Sequence, residues 1–162
     1  MRNTKRLAFV IALSSALSLQ NAYAQNATFA AEVSADQIAA VSEACVGGAE
    51  TELCKSALEA LIAALKAANP GVSIAALIGS IAVAFSQASN ASLASTAVGF
   101  NAAAAAQALT ALASYAHSVG LSNLAETIVA IATNVESRVS IDLTAIAEGA
   151  GIAIPADLAS PA

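Results

Sequence analysis

Two cysteines, Cys45 and Cys54, have the spacing in this chain that most clearly predicts a covalent bond. They are the only cysteines in 162 residues, and a Gly47-Gly48 pair lies between them. A glycine pair permits a tight turn, which folds the two flanking helical segments toward each other. The spacing is not the Cys-x-x-Cys of redox-active sites. We therefore predict a structural disulfide between Cys45 and Cys54.

The only histidine, His117, lies one helical turn after Ser114. A hydrolase built on such a pair also needs an acid that orients the imidazole and an oxyanion hole. The nearest carboxylate in sequence is Glu126, beyond a helix break, and the chain has no Gly-x-Ser-x-Gly motif. We interpret His117 as a solvated imidazole near a helix C-terminus, where positive charge is favoured. We predict no catalytic residues and no enzymatic activity.

Metal and cofactor sites are not predicted either. Because the chain has one histidine and its two cysteines are predicted to form a disulfide, mainly carboxylates remain as possible metal ligands. Asp142, Glu148 and Asp157 do not follow the spacing of a calcium loop. Gly47-Gly48 is not followed by the Lys-Ser/Thr of a phosphate-binding loop, and no strand precedes it.

The longest feature of the chain is a run without ionic side chains, which extends over 59 residues from 67 to 125. Its many alanines have high helix propensity, so the composition predicts closely packed helices. Within this run a candidate interaction face consists of polar residues at helical spacing: Gln107, Thr110, Ser114 and His117. Monomeric proteins rarely expose large uncharged apolar patches except where they meet a partner, a lipid or another copy.

The first 24 residues have the layout of a cleaved signal peptide. Three basic residues among the first six precede an apolar run over 7–19, and Ala-x-Ala occupies 22–24. That run is too short for a comfortable membrane span of about 20 residues. We expect an exported chain that begins at Gln25, in the periplasm or outside the cell, where disulfides persist.

The charge balance of the expected mature chain limits its partners. Cleavage leaves three basic residues against eleven acids, a net charge of −8. Nucleic acids and anionic membrane surfaces require a basic footprint, which three scattered cations do not form. We exclude nucleic acid as a partner and leave membrane contact open.

Apolar residues recur at steps of three and four, which predicts an all-α protein: a compact bundle of four to five helices with one further short helix. A single helical domain over 34–150 would follow a flexible arm at 25–33 and precede a tail at 151–162. Ser34 and Gln37 fit a capping box, and the Ser-Asn-Ala-Ser sequence at 89–92 predicts a turn. Lys55 is spaced to pair with Glu52 and Glu59. The helices are predicted near 35–45, 49–68, 72–88, 92–118 and 122–138, with the short one at 141–148.

Three functions fit these features. The first is a structural or interaction protein that works through the uncharged Ala-rich surface, by binding a protein partner or by self-association. The second is a module that binds a small apolar ligand or lipid between the third, fourth and fifth helices. The third is a membrane-active protein, for which the third helix has only marginal spanning length.

Overall fold

The structure is a computed structural model and describes residues 31–94 and 99–153. The described residues form six helices and no strand, so the predicted all-α bundle is confirmed. The predicted signal peptide at 1–24, most of the predicted arm and the tail from 154 onward lie outside the described residues. The helices are α1 (Ala35–Ala44), α2 (Glu52–Ala68), α3 (Ile74–Ala94), α4 (Ala102–Ser118), α5 (Ser122–Glu136) and α6 (Thr144–Ala150).

The longest helix, α3, forms the centre of the bundle and contacts each of the other five helices. Buried residues occur all round its circumference, as expected of a helix enclosed by its neighbours. Leu77, Ile81 and Phe85 are fully buried there. Within the described ranges α3 is the helix long and apolar enough to cross a membrane, and most of its apolar window lies inside the bundle. Enclosure within the bundle therefore accounts for its composition.

Side-chain caps fix the starts of α1 and α2. The predicted capping box is present: Ser34 N–H donates to Gln37 Oε1 (2.8 Å), and Gln37 N–H donates to Ser34 Oγ (3.2 Å). Thr51 caps α2, since its Oγ1 accepts from Cys54 N–H (3.3 Å) and donates to Gly48 O (2.8 Å). The second helix therefore begins at Glu52 rather than at the predicted residue 49.

The boundary between the third and fourth helices differs most from expectation. The third helix continues to Ala94 through the predicted turn at 89–92, and the fourth begins at Ala102 rather than at 92. Serines in this part of α3 satisfy their hydroxyls on the helix itself, as Ser86 does by donating to Ala82 O (2.8 Å). The start of α4 is set by Asn101, whose Oδ1 accepts from Ala104 N–H (3.0 Å).

Asn90 attaches the α5–α6 connection to α3 with both ends of its side-chain amide. Its Nδ2 donates to Ile141 O (3.0 Å), and Ile141 N–H donates to Asn90 Oδ1 (2.9 Å). These bonds hold residue 141 outside the helix, so α6 begins at Thr144 rather than at 141. Thr144 N–H donates to Asp142 Oδ1 (2.9 Å). That bond holds the pKa of the Asp142 carboxyl below its ordinary value.

Both ends of the described chain meet the middle of α3. Ala31 is buried, and its N–H donates to Ser80 Oγ (3.3 Å). Ala31 belongs to the predicted flexible arm, of which the structure describes residues 31–33, and it packs on the bundle. On the neighbouring residue, Gly79, a Cβ would overlap the Cβ of Ala150. The absence of a side chain at Gly79 is therefore what lets α6 pack against α3.

Candidate interaction surface

Cys45 and Cys54 form the predicted disulfide, with an S–S distance of 2.00 Å and Cα atoms 4.4 Å apart. Both residues are fully buried. The bond ties the end of α1 to the first turn of α2. It closes a segment that we call the disulfide loop, residues 45–54. Gly48 in this loop has φ +117°, which an L side chain rarely adopts.

Gln107 attaches the disulfide loop to α4. Its Oε1 accepts a hydrogen bond from Ala49 N–H at 3.0 Å, across 58 residues of sequence. The side chain is half-buried as a result. The sequence placed Gln107 on the candidate interaction face, and the structure adds that it also fixes the loop to that face.

The four residues of the candidate face lie in one line along α4, at steps of three, four and three residues. We call Gln107, Thr110, Ser114 and His117 the α4 stripe. Thr110, Ser114 and His117 are exposed, whereas the alanines on either side of the line are buried: Ala106, Ala111 and Ala113. The stripe is therefore narrow. A standard interface buries about 800 Å² per partner, so a binding surface here must extend beyond α4.

A shallow, open depression joins the α4 stripe to the disulfide loop. It encloses about 500 Å³ and is lined by Gly47, Gly48, Ala49, Glu50, Thr51, Gln107 and Thr110. The stripe and the loop therefore form one continuous surface.

The disulfide loop exposes two large apolar side chains. Leu53 is 75% exposed and Val46 is 63% exposed, more than any other large hydrophobic residue in the described part of the chain. Each is the neighbour of a disulfide cysteine, and the two cysteine Cα atoms are 4.4 Å apart. Since consecutive Cα atoms are about 3.8 Å apart, the Cα atoms of Val46 and Leu53 lie within about 12 Å of each other.

Acidic residues lie close in sequence to this apolar pair. Glu43, Glu50 and Glu52 are exposed. Lys55 Nζ lies 2.8 Å from Glu50 Oε2, and the hydrogen bond and charge of Glu50 raise the pKa of Lys55. The sequence spacing had suggested Glu52 and Glu59 as its partners. In the predicted helix from residue 49, Glu50 and Lys55 would be five residues apart and not neighbours on one face. Because α2 instead begins at Glu52, Glu50 lies before the helix, where its carboxylate reaches Lys55.

Two further arrangements that could do chemistry are a Ser114–His117 pair and a cluster of metal ligands. No hydrogen bond joins Ser114 to His117 in the described ranges, and the imidazole is exposed. Likewise, 31–94 and 99–153 contain no group of three or more His, Cys, Asp or Glu side chains placed to hold a metal ion.

A second shallow depression lies between α1 and α2 and encloses about 290 Å³. Small and aliphatic side chains dominate its lining: Gln37, Ala40, Val41, Ala57, Leu61 and Ala64. Neither of these two depressions lies between α3, α4 and α5, where the sequence suggested a site for an apolar ligand.

Comparison with known protein families, with curated proteins and with solved structures gave no match.

Proposed function

We propose that this protein is an exported, non-enzymatic interaction protein that binds a protein partner or a second copy of itself. The binding surface in this proposal is the α4 stripe together with the adjoining disulfide loop. The observation that carries the proposal is the contrast along the uncharged run. Most of α3 and α4 is buried, whereas Thr110, Ser114 and His117 are exposed in line, and Thr110 borders an open depression.

The chemistry of the stripe supports a binding role. Exposed helix positions tolerate charged side chains at little cost, and the other helices carry them at some of their exposed positions, such as Asp36, Lys66 and Glu126. Uncharged side chains avoid the desolvation penalty that a buried ion pays when another surface covers it. Small polar groups also keep the surface soluble while the partner is absent. Such a composition suits a surface that is exposed to solvent in the free protein and buried in a complex.

Export is the second part of the proposal. The predicted signal peptide at 1–24 supports it, and a buried disulfide is the chemistry of an oxidising compartment. N-terminal sequencing of the protein recovered from the periplasm or the medium should begin at Gln25. A chain that retains residues 1–24 in the cytoplasm would contradict export.

An apolar-ligand module remains the alternative that the sequence raised. It would need an internal volume between α3, α4 and α5, and the two depressions described above lie elsewhere. Solvent extraction of the purified protein tests this alternative, because a ligand carrier would release an apolar compound.

The interaction proposal is tested by photo-crosslinking in the cells that make the protein. A photoreactive amino acid at Ser114 should give an adduct of higher mass. The same group at Thr133, which is exposed on α5, is the matched control and should give none. Mass spectrometry of the adduct distinguishes a second copy from another protein. Equal yields at both positions, or none at Ser114, would overturn the proposal.

A further inference from the structure

We infer that the partner is a cationic protein with an apolar pocket, and that it receives Val46 and Leu53 of the disulfide loop as its anchors. The inference rests on the proposed function and adds to it the chemical class of the partner and the residues that bind it.

The first support is the exposure of the two side chains. A single exposed aliphatic residue is ordinary on a protein surface. Here the two most exposed large hydrophobic residues lie in one ten-residue loop, beside the same disulfide. Clustered apolar side chains with a polar rim are typical of the energetic centre of an interface.

The second support is the rigidity of the loop. The disulfide, the Thr51 bonds to Gly48 and Cys54, and the Ala49–Gln107 bond each restrict it. A loop that is already ordered loses little conformational entropy on binding, which increases affinity. The fold therefore presents Val46 and Leu53 in a fixed arrangement, although neither contributes to the core.

The third support is charge, which selects the occupant. Glu43 and Glu52 are exposed and close in sequence to the anchors, whereas the charge of Glu50 is offset by Lys55. A cationic partner would complement them and would associate faster through electrostatic steering. A second copy would instead bring its own carboxylates to the contact. Of the three basic residues in the mature chain, Lys55 is already paired with Glu50.

The probe for this surface is a labelled amphipathic helical peptide of Leu and Lys, titrated into the folded, oxidised protein. The matched peptide carries Glu in place of every Lys. We expect the Lys peptide alone to bind, with an affinity that falls as salt rises. In V46S/L53S the affinity should fall about tenfold or more, since both anchors are lost.

The control variant is V129S/V139S, which removes two aliphatic side chains that are each 50% exposed but lie outside the loop. It should bind the Lys peptide as the unchanged protein does. Because all four side chains are exposed, equal thermal midpoints would show that neither variant disturbs the fold. Equal losses in the two variants, or equal binding of the two peptides, would overturn the inference.

Other occupants give different results. A mass that doubles on concentration, and does so only with Val46 and Leu53 intact, would make a second copy the occupant and overturn the inference. Adsorption to phosphatidylcholine vesicles that requires Val46 and Leu53 would make lipid the occupant and would also overturn the inference. If Ser114 still crosslinks with unchanged yield in V46S/L53S, the loop inference fails and the proposed function stands. If the Lys peptide requires the anchors but Ser114 gives no adduct, the α4 stripe is the part that fails.

Discussion

Arg138 is the one non-glycine residue in the described ranges with a left-handed backbone, at φ 56°. It follows the last turn of α5, where Val139 N–H donates to Asn134 O at 2.9 Å. This pattern closes many helices and normally has glycine at the left-handed position. A residue with a side chain is strained there by roughly 1–2 kcal/mol, because its Cβ comes close to the backbone.

Replacing Arg138 with glycine should therefore stabilise the protein. We expect Arg138→Gly to raise the free energy of unfolding by about 1 kcal/mol through relief of this strain. The greater conformational entropy of glycine in the unfolded chain offsets part of that gain. Urea unfolding measures the change. Arg138→Ala is the control, since it removes the charge but keeps the Cβ. Equal stability of the two variants would show that backbone strain is not the cause.

The buried Cys45–Cys54 bond permits a second test on residues. The oxidised protein, denatured without reductant, should show no free thiols, and two after reduction. Because the bond closes a short loop in the unfolded chain, reduction should lower the free energy of unfolding by about 2.7 kcal/mol. A Cys45→Ala/Cys54→Ala double variant should not respond to reductant. Free thiols in the oxidised sample would contradict the disulfide.

Residue contacts that are local in sequence could be predicted, and distant ones could not. The capping box at Ser34 and Gln37 and the disulfide across a glycine turn follow from spacing alone. The Asn90–Ile141 and Gln107–Ala49 bonds span 51 and 58 residues. No local pattern indicates either bond, because which amide meets which backbone group is decided by how the helices pack.

At the scale of elements, the contact between α3 and α6 depends on Gly79. A methyl group there would overlap Ala150 Cβ. Alanine is a better helix former than glycine by roughly 0.5–1 kcal/mol, so Gly79→Ala favours α3 itself while it displaces α6. We expect amide hydrogen exchange to increase in 144–152 and to stay slow in α3.

Gly149→Ala is the matched control for this prediction. A Cβ on Gly149 would lie at ordinary contact distance, 3.6 Å from Leu124 Cδ1. This variant should keep α6 protected and gain the helix propensity of alanine. Unchanged exchange in α6 of Gly79→Ala would show that α3 and α6 do not pack closely at Gly79.

Helix identity was predictable from apolar periodicity, whereas helix ends were less so. Ser-Asn-Ala-Ser at 89–92 is turn-like in composition, yet α3 continues through it. Tertiary packing decides the outcome, since Asn90 is bonded to Ile141 and Ser89 and Ser92 are buried. The later break does carry a sequence signal, Gly99 followed by the helix cap Asn101. The serines at 89 and 92 favoured an earlier turn in the prediction, although they lie within the helix.

At the scale of the whole molecule, the uncharged run is divided between the interior and the surface. Most of α3 and the small side chains of α4 fill the bundle interior, and the α4 stripe remains at the surface. The sequence predicted the residues of that stripe from their type and spacing. It did not indicate that the stripe is narrow, or that the disulfide loop extends it, because both facts depend on which helices lie beside α4.

The central claim is that this protein acts by binding through the joined surface of disulfide loop and α4 stripe. Photo-crosslinking at Leu53 in the cells that make the protein tests it most directly. Val129, an exposed aliphatic residue on α5, is the reference position. We expect an adduct with a basic protein from Leu53 and none from Val129. Absence of any adduct at Leu53, or equal yields from the two positions, would contradict it.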